Sequence, residues 1–295
     1  MQPSLWTNFF TGLSVADKLR QTAAAGFATA EIAFEDIIDP DTGLLSESHA
    51  EMIRDVAASV GLATPQVHYP ITTLRKDAPL RPGARHAQTD LASEDAEQRA
   101  FDLKWAQRML ELCPICGIKV MVIHPGGAGG WEDDAGFDRM IQRNAEAFSR
   151  LAETAERVGA TVAIENLGRI KGRRSMRSDF EELSAFIDQL GSKRLGVCLD
   201  TSHANYLGID IPAGIHTCGH RLVATHMSDN LGEHDDHLMP YGGKIAWEPI
   251  VAALREIGYE GPFNLEIPGE NRCPMPVRLL KARYARDLLR VMLEE

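Results

Sequence analysis

No stretch of this 295-residue chain approaches the roughly 18 apolar residues of a membrane span. Its first ten residues, MQPSLWTNFF, carry no basic segment followed by an apolar core, so they do not read as an export signal. Both absences argue against a membrane protein, and the cytoplasm is the expected compartment. Cysteine is scarce. Cys113, Cys116, Cys198, Cys218 and Cys273 form an odd, scattered set that describes no disulfide framework. Cys113-Pro-Ile-Cys116 has the spacing of a redox or zinc pair, yet no second pair completes it. It is expected to close a helix at the end of the fold away from chemistry. Positive charge is also in short supply: 31 Lys and Arg against 42 Asp and Glu leave a net charge of −11. Nucleic acid is therefore not an expected partner, since its phosphates demand neutralising cations. Linkers, low-complexity segments and breaks in composition are missing too, so a single domain over residues 1–295 is expected.

What the chain does have is a recurring unit: a short apolar run, then apolar residues at helical spacing. The runs are Ser4–Phe10, Thr29–Phe34, Ala63–His68, Lys119–His124, Thr161–Asn166, Leu195–Asp200, Leu222–Met227 and Phe263–Ile267. Helical patterns cover Ser14–Ala25, Ser46–Val60 (with Ser46 suited to the N-cap), Ala135–Val158 and Pro276–Leu293. The pattern at Ile211–Gly219 is weak and predicts a short or irregular helix. Eight strand–helix alternations point to a parallel sheet closed on itself, a (β/α)8 TIM barrel. A doubly wound open sheet would want a glycine-rich phosphate turn after the first strand, and none is there. Gly126-Gly-Ala-Gly-Gly130 follows the fourth strand and lacks the Lys and Ser/Thr of a phosphate loop. It reads as a flexible active-site loop.

Polar residues stand at the strand ends. The third run ends at His68, the fourth at His124, the fifth at Glu165, the sixth at Asp200 with His203 close behind, the seventh at His226 and the eighth at Glu266. In a barrel these ends share one rim, where such folds place their active sites. Three carboxylates and an imidazole (Glu165, Asp200, His226, Glu266) make a hard, oxygen-rich site that suits one divalent ion, Mn²⁺ above all, or Mg²⁺ or Co²⁺. Added imidazoles from His68, His124, His203 and His237 tilt the set toward Zn²⁺. Without a cation, three clustered carboxylates repel and take up protons. Asp200 also has the position of a helix cap, and Thr201 is a second cap candidate. Glu31, at the end of the second run, is expected to be a hydrogen-bond partner within the barrel. Trp6 and Phe34 are expected mainly in core packing, with an apolar wall beside the rim as their other role. Arg173, Arg174 and Arg177 lie in a cationic loop, Gly168–Arg177, that follows the fifth strand and is placed to meet an anionic part of a substrate.

The segments VCLDTSHAN, IENLG, THMSDN with Asp235-Asp-His237, and LEIPGE resemble the xylose-isomerase-like TIM-barrel superfamily. This group includes sugar and sugar-phosphate isomerases and epimerases together with zinc-dependent AP endonucleases. The likeness covers nearly the whole chain. Resemblance to the ketose epimerases implies that Glu165, Asp200, His226 and Glu266 hold one metal, and that Glu165 and Glu266 exchange protons with substrate. It implies a substrate contact for His203. His124, His68, Asp235, His237, Lys244 and Arg173 complete the expected substrate contacts. Those epimerases carry an Arg shortly after the seventh-strand His, whereas this chain reads His-Met-Ser-Asp-Asn-Leu-Gly-Glu. Resemblance to the endonucleases implies nine ligands for three zinc ions, matched by His68, His124, Glu165, Asp200, His203, His226, Asp235, His237 and Glu266. That branch has Cys where this chain has Ser202, and a longer spacing before its Asp-x-His.

The expected function is a metal-dependent isomerase or epimerase acting on a sugar, a sugar phosphate or a polyol-derived keto compound through an enediolate. A lyase or dehydratase on a keto-sugar or inosose begins with the same proton abstraction and is the first alternative. A phosphodiesterase acting on abasic DNA is the second. The resemblance further implies a homodimer or homotetramer.

Overall fold

The computed structural model describes residues 1–72, 75–77, 88–127, 130–131, 133–168, 173, 175–269 and 272–294, with Arg177 described for its backbone alone. Strands β1 (Gln2–Trp6), β2 (Thr29–Ile32), β3 (Ala63–His68), β4 (Val120–Ile123), β5 (Thr161–Glu165), β6 (Leu195–Asp200), β7 (Leu222–His226) and β8 (Pro262–Leu265) alternate with helices. These are α1 (Val15–Ala24), α2 (Glu47–Ser59), α3 (Ala96–Cys116), α4 (Asp134–Val158), α5 (Phe180–Leu190), α6 (Thr201–Tyr206), α7 (Ile211–Cys218), α8 (Trp247–Glu256) and α9 (Met275–Glu294). The strands are parallel, in the order β7-β6-β5-β4-β3-β2-β1-β8. A parallel bridge between Met227 and Leu265, just past β7, closes the ring into a (β/α)8 TIM barrel. No helix among the described residues is long and apolar enough to cross a membrane.

Local chemistry explains where the helices start and stop. Ser14, Ser46, Asp95, Asp133, Asp179 and Asp210 each cap a helix by accepting a backbone N–H from its first turn. The weakly patterned segment forms the eight-residue α7, preceded by the single-turn α6. The first strand ends earlier than the apolar run Ser4–Phe10 suggests. Thr7 accepts the Ala33 N–H and donates to Asp36 Oδ2 (2.9 and 2.7 Å), which pulls the chain across the rim into a 3-10 turn over Thr7–Phe10.

Two apolar layers follow from the strand period of two. Residues facing outward, such as Val162, Ile164, Val197 and Leu199, join the large core between sheet and helices. Val122, Ala163, Cys198 and Ala224 face inward and form a separate small cluster. Two residues further along the same strands come His124, Glu165, Asp200 and His226. The inner layer of small side chains thus supports an upper layer of metal-capable ones. Cys113 and Cys116, by contrast, are buried thiols in the last turn of α3, donating to Met109 O and Ala50 O. Burial pushes the Cys116 thiol up to about 12 and Cys113 higher still, so neither supplies a thiolate.

Candidate metal centre and active site

His226, fully buried, lies at the middle of the upper layer. Its Nε2 is 3.0 Å from Glu31 Oε1, a carboxylate that only accepts, so Nε2 carries the proton. In the neutral ring the other nitrogen, Nδ1, presents a lone pair. In the metal-free protein burial opposes a second proton, but the surrounding acidic groups prevail and raise His226 well above the usual histidine range. Nδ1 lies 3.3 Å from Glu165 Oε1 and 3.2 Å from Glu266 Oε2, with no hydrogen bond of its own. Asp200 divides its two oxygens between two jobs. Oδ1 accepts the His203 N–H at 2.8 Å and caps α6, as the position of Asp200 suggested. Oδ2 is buried with no hydrogen-bond partner. One ligand atom from each of Glu165, Asp200, His226 and Glu266 lies within 4.8 Å of the others. Carboxylates crowded around an imidazole in a dry place take up protons, and a divalent cation would take the place of those protons. The donor set fits one. Thr201 does not cap. Its hydroxyl donates to Ser228 O and accepts the Ser228 N–H, tying β6 to the segment after β7.

The same logic holds for the flanking imidazoles. His68 Nδ1 lies 2.6 Å from Tyr69 O, so its Nε2 is the free nitrogen, 3.2 Å from Glu165 Oε2. His124 Nε2 lies at the same distance from that oxygen. His203 Nδ1 donates to Asn166 O (2.9 Å) and His237 Nδ1 to Glu266 O (2.8 Å). Their Nε2 atoms converge on Asp235 Oδ2 at 3.1 and 3.2 Å. Ser202 anchors Asp235 by donating to its other oxygen at 2.7 Å. The rings of His68, His203 and His237 are each held by an outer acceptor while the second nitrogen points inward, the arrangement that outer partners give to metal-binding histidines. Among the described residues three groups in addition to the central one lie as close together: His68, His124 and Glu165; His68, His226 and Glu266; and Asp200, His203 and His237.

The electrostatics describe a cluster short of positive charge. Burial drives Asp200 up to about 6, beyond what His203 and His237 offset. Burial also opposes ionisation of Glu165 and Glu266, yet the surrounding imidazoles prevail, leaving Glu165 well below the usual carboxylate range and Glu266 at about 2. His203 and His237 lose to burial but gain more from carboxylates, rising to about 10 and about 11. Protons occupy this cluster where a cation is absent.

Above the cluster opens a cavity of about 400 Å³, lined by Trp6, Phe34, His68, Ile71, His124, Glu165, His203, Asp235, Asp236, His237, Glu266 and Pro268. Trp6 and Phe34, expected mainly as core, line the cavity as its apolar wall instead, because Trp6 is the last residue of β1 and Phe34 stands two residues past β2. Asp236, Ile71 and Pro268 were not foreseen. Their only sequence signal is proximity to strand ends. Lys244 is exposed on the segment before α8 and does not line the cavity; its backbone N–H is tied to Asn230 O at 2.9 Å. Arg173 is half-buried and is likewise not a lining residue. Arg174, the Arg177 side chain, and Ala128 and Gly129 lie outside the described residues. Gly126 and Gly127 are not free: their N–H groups donate to Asn144 and Asp90 at 2.8 and 2.9 Å. A second depression, about 460 Å³, lies beside α1 and α2. Its most buried carboxylate, Asp36, is already paired with Lys18 at 2.8 Å and with Thr7.

Comparison with known proteins adds to this geometry. The family model described as xylose isomerase-like TIM barrel matches residues 19–294. A D-psicose 3-epimerase from Enterocloster bolteae is 34% identical over 184 residues, covering 60% of this chain and 57% of that protein. A probable endonuclease 4 from Acholeplasma laidlawii is 27% identical over 228 residues, covering 70% of this chain and 74% of that protein. Among solved structures, a D-psicose 3-epimerase determined in the presence of D-fructose superposes with a TM-score of 0.79 at 20% identity, over 100% of both chains.

Proposed function

The chain belongs to the xylose isomerase-like TIM barrel family, and from that premise we propose that it is a divalent-metal-dependent isomerase or epimerase of a sugar or sugar-derived keto compound. The observation that carries this reading is the pairing of Glu165 and Glu266 on either side of His226 Nδ1, at the floor of a cavity with an aromatic wall. Glu165, Asp200, His226 and Glu266 would hold the metal, Mn²⁺ first. When bound, the ion supplies Lewis acidity for the negative charge that develops on a substrate carbonyl oxygen.

The chain's own residues do the rest. One of the two glutamates, ionised, removes the proton from the carbon beside the carbonyl; the C–H electron pair becomes the new C=C bond and the carbonyl π pair moves onto oxygen, giving an enediolate. The other, protonated, returns a proton to the opposite face or to the next carbon. His68 and His124 both meet Glu165 Oε2, which gives that carboxyl a route for renewing its proton state. His203 and His237, bridged by Asp235, border the same cavity and are placed to hold substrate hydroxyls. Trp6 and Phe34 give the C–H face of a sugar ring an apolar wall.

A second reading has a specific observation behind it. All nine positions named for a three-zinc site come together in overlapping groups, Asp235 through its contacts to His203 and His237. A metal-dependent phosphodiesterase is the activity that would use them. Metal content separates the two. Protein purified without chelator is expected to carry about one Mn²⁺ per chain and to catalyse incorporation of solvent deuterium into ketoses or inososes. Two or three zinc ions per chain with cleavage of abasic DNA would overturn the sugar reading. A homodimer or homotetramer belongs to this proposal and is read by sedimentation.

A further inference from the structure

Glu31 stands outside every ligand group, yet it is a carboxylate with 0% exposure inside the barrel. It lies on β2, across the barrel from β7. Its Oε1 takes the His226 Nε2–H at 3.0 Å, and its Oε2 takes an N–H from Asn264. Asn264 is itself oriented by Ser4, whose hydroxyl donates to Asn264 Oδ1 at 2.9 Å. Ser4 and Asn264 are also fully buried. The result is a directed chain, Ser4 to Asn264 to Glu31 from one side and His226 to Glu31 from the other, spanning β1, β8, β2 and β7.

A buried carboxylate held by two donors is expensive in a barrel core unless it serves a charged or polarised neighbour. The neighbour here is an imidazole whose remaining nitrogen faces Glu165 and Glu266. A ring that coordinates a cation through Nδ1 becomes a stronger donor at Nε2, so the Glu31 bond strengthens when the site fills. Without Glu31, His226 has no reason to keep its proton on Nε2. The other tautomer would put an N–H on Nδ1, aimed at the two glutamates and closing that nitrogen to a metal.

We infer that Glu31 is the positioning residue of this site: it fixes the tautomer and orientation of His226 and thereby sets the affinity for the divalent ion. The inference rests on the metal reading above, and its test keeps the two apart. Titration calorimetry with MnCl2 gives a Kd for the wild type, for Glu31→Gln and for Asn264→Ala, beside ¹⁵N spectra of the histidine ring nitrogens in the metal-free proteins. Glu31→Gln is expected to weaken binding by about 10- to 100-fold and to change the His226 ring signals. Asn264→Ala should move both in the same direction by less. A Glu31→Gln protein that melts lower but keeps the wild-type Kd and tautomer would give Glu31 a merely structural role and overturn the inference. Should Glu31→Gln not fold, Asn264→Ala with an unchanged Kd and unchanged ring signals would overturn it too. A wild type that takes up no divalent ion at all would instead remove the metal reading on which it stands.

Discussion

The two faces of the same strands obey different rules. Along β6, Val197 and Leu199 face outward, are apolar and belong to the large apolar core. Cys198 faces inward within a small cluster, and the next inward residue is Asp200, buried with an oxygen left unpartnered. The outward face is where area removed from water stabilises the fold. The inward face surrenders part of that stabilisation to hold charges in a place where nothing but a cation satisfies them. A mutation on one face should therefore register in stability, and on the other in metal binding and chemistry.

The strongest way to sharpen that contrast is Glu165→Gln. The amide keeps the shape but neither accepts a proton from carbon nor contributes charge to the site. Deuterium exchange and turnover of the best substrate are expected to fall by about 10²- to 10⁴-fold, the range of a lost general base. The metal-free protein should stay folded and melt only modestly lower, because the ionised Glu165 is stabilised by its imidazole neighbours. Circular dichroism alongside kinetics checks both. If Glu165→Gln turned over at more than a tenth of the wild-type rate, Glu165 would not be the base.

Next in size is Leu199→Ala, one residue before Asp200 but on the opposite face. Leu199 is fully buried, and truncation leaves a cavity against the helices, so about 2–5 kcal/mol of stability is expected to be lost. The metal Kd should stay within a few-fold of wild type. Denaturant melts of the metal-free protein, paired with calorimetry, separate these outcomes. A collapse of metal affinity at unchanged stability would mean that the two faces are not independent.

Much of this was legible before any coordinates. The eight apolar runs locate the strands because buried parallel strands must be near-continuously apolar. The candidate site was legible for a related reason: His68, Glu165, Asp200 and His226 each stand at or beside the end of an apolar run, where an ionisable side chain is costly unless paired, although Asp200 also caps a helix. The other residues of the cavity lack that signal. Trp6 and Phe34 carry two readings, core and cavity wall, because an apolar side chain within or at the end of an apolar run does not say where the strand stops, and the turn at Thr7 favours the wall. Asp236 follows Asp235 in a polar loop, and nothing local says that both of them line the cavity. Glu31 could be read as a barrel hydrogen-bond partner, but its pairing with His226 joins residues 195 positions apart.

A smaller effect is expected from pH. In the metal-free protein His203 and His237 rise to about 10 and about 11, above the ordinary histidine value of 6.5. Folded values above unfolded ones mean that their stabilisation is full below about pH 6.5 and is lost as pH rises through about 10. Metal-free protein should thus melt progressively lower from neutral pH upward, and His237→Asn should flatten that slope. Metal uptake near pH 8 should release protons, seen as a dependence of the binding heat on the buffer's ionisation enthalpy. A binding heat indifferent to buffer would show that the inward face holds no such protons.

Lys244→Ala should do least. Lys244 invites a functional role, being a cation in the segment after β7, beside an acidic site. Its side chain is exposed and outside the cavity lining, while its backbone is fixed by Asn230, so the ammonium stands in water rather than at the metal cluster. A solvated charge is largely screened beyond about 8 Å at physiological ionic strength. Truncating it should leave kcat and KM within about twofold for a neutral sugar, and leave the metal Kd unchanged. A sugar phosphate makes the decisive comparison. If KM for the phosphorylated substrate rose tenfold or more in Lys244→Ala while the neutral sugar was unaffected, the segment before α8 would have to close over the cavity in the working enzyme. The contrast between the two strand faces would then need a third surface, supplied by the loops.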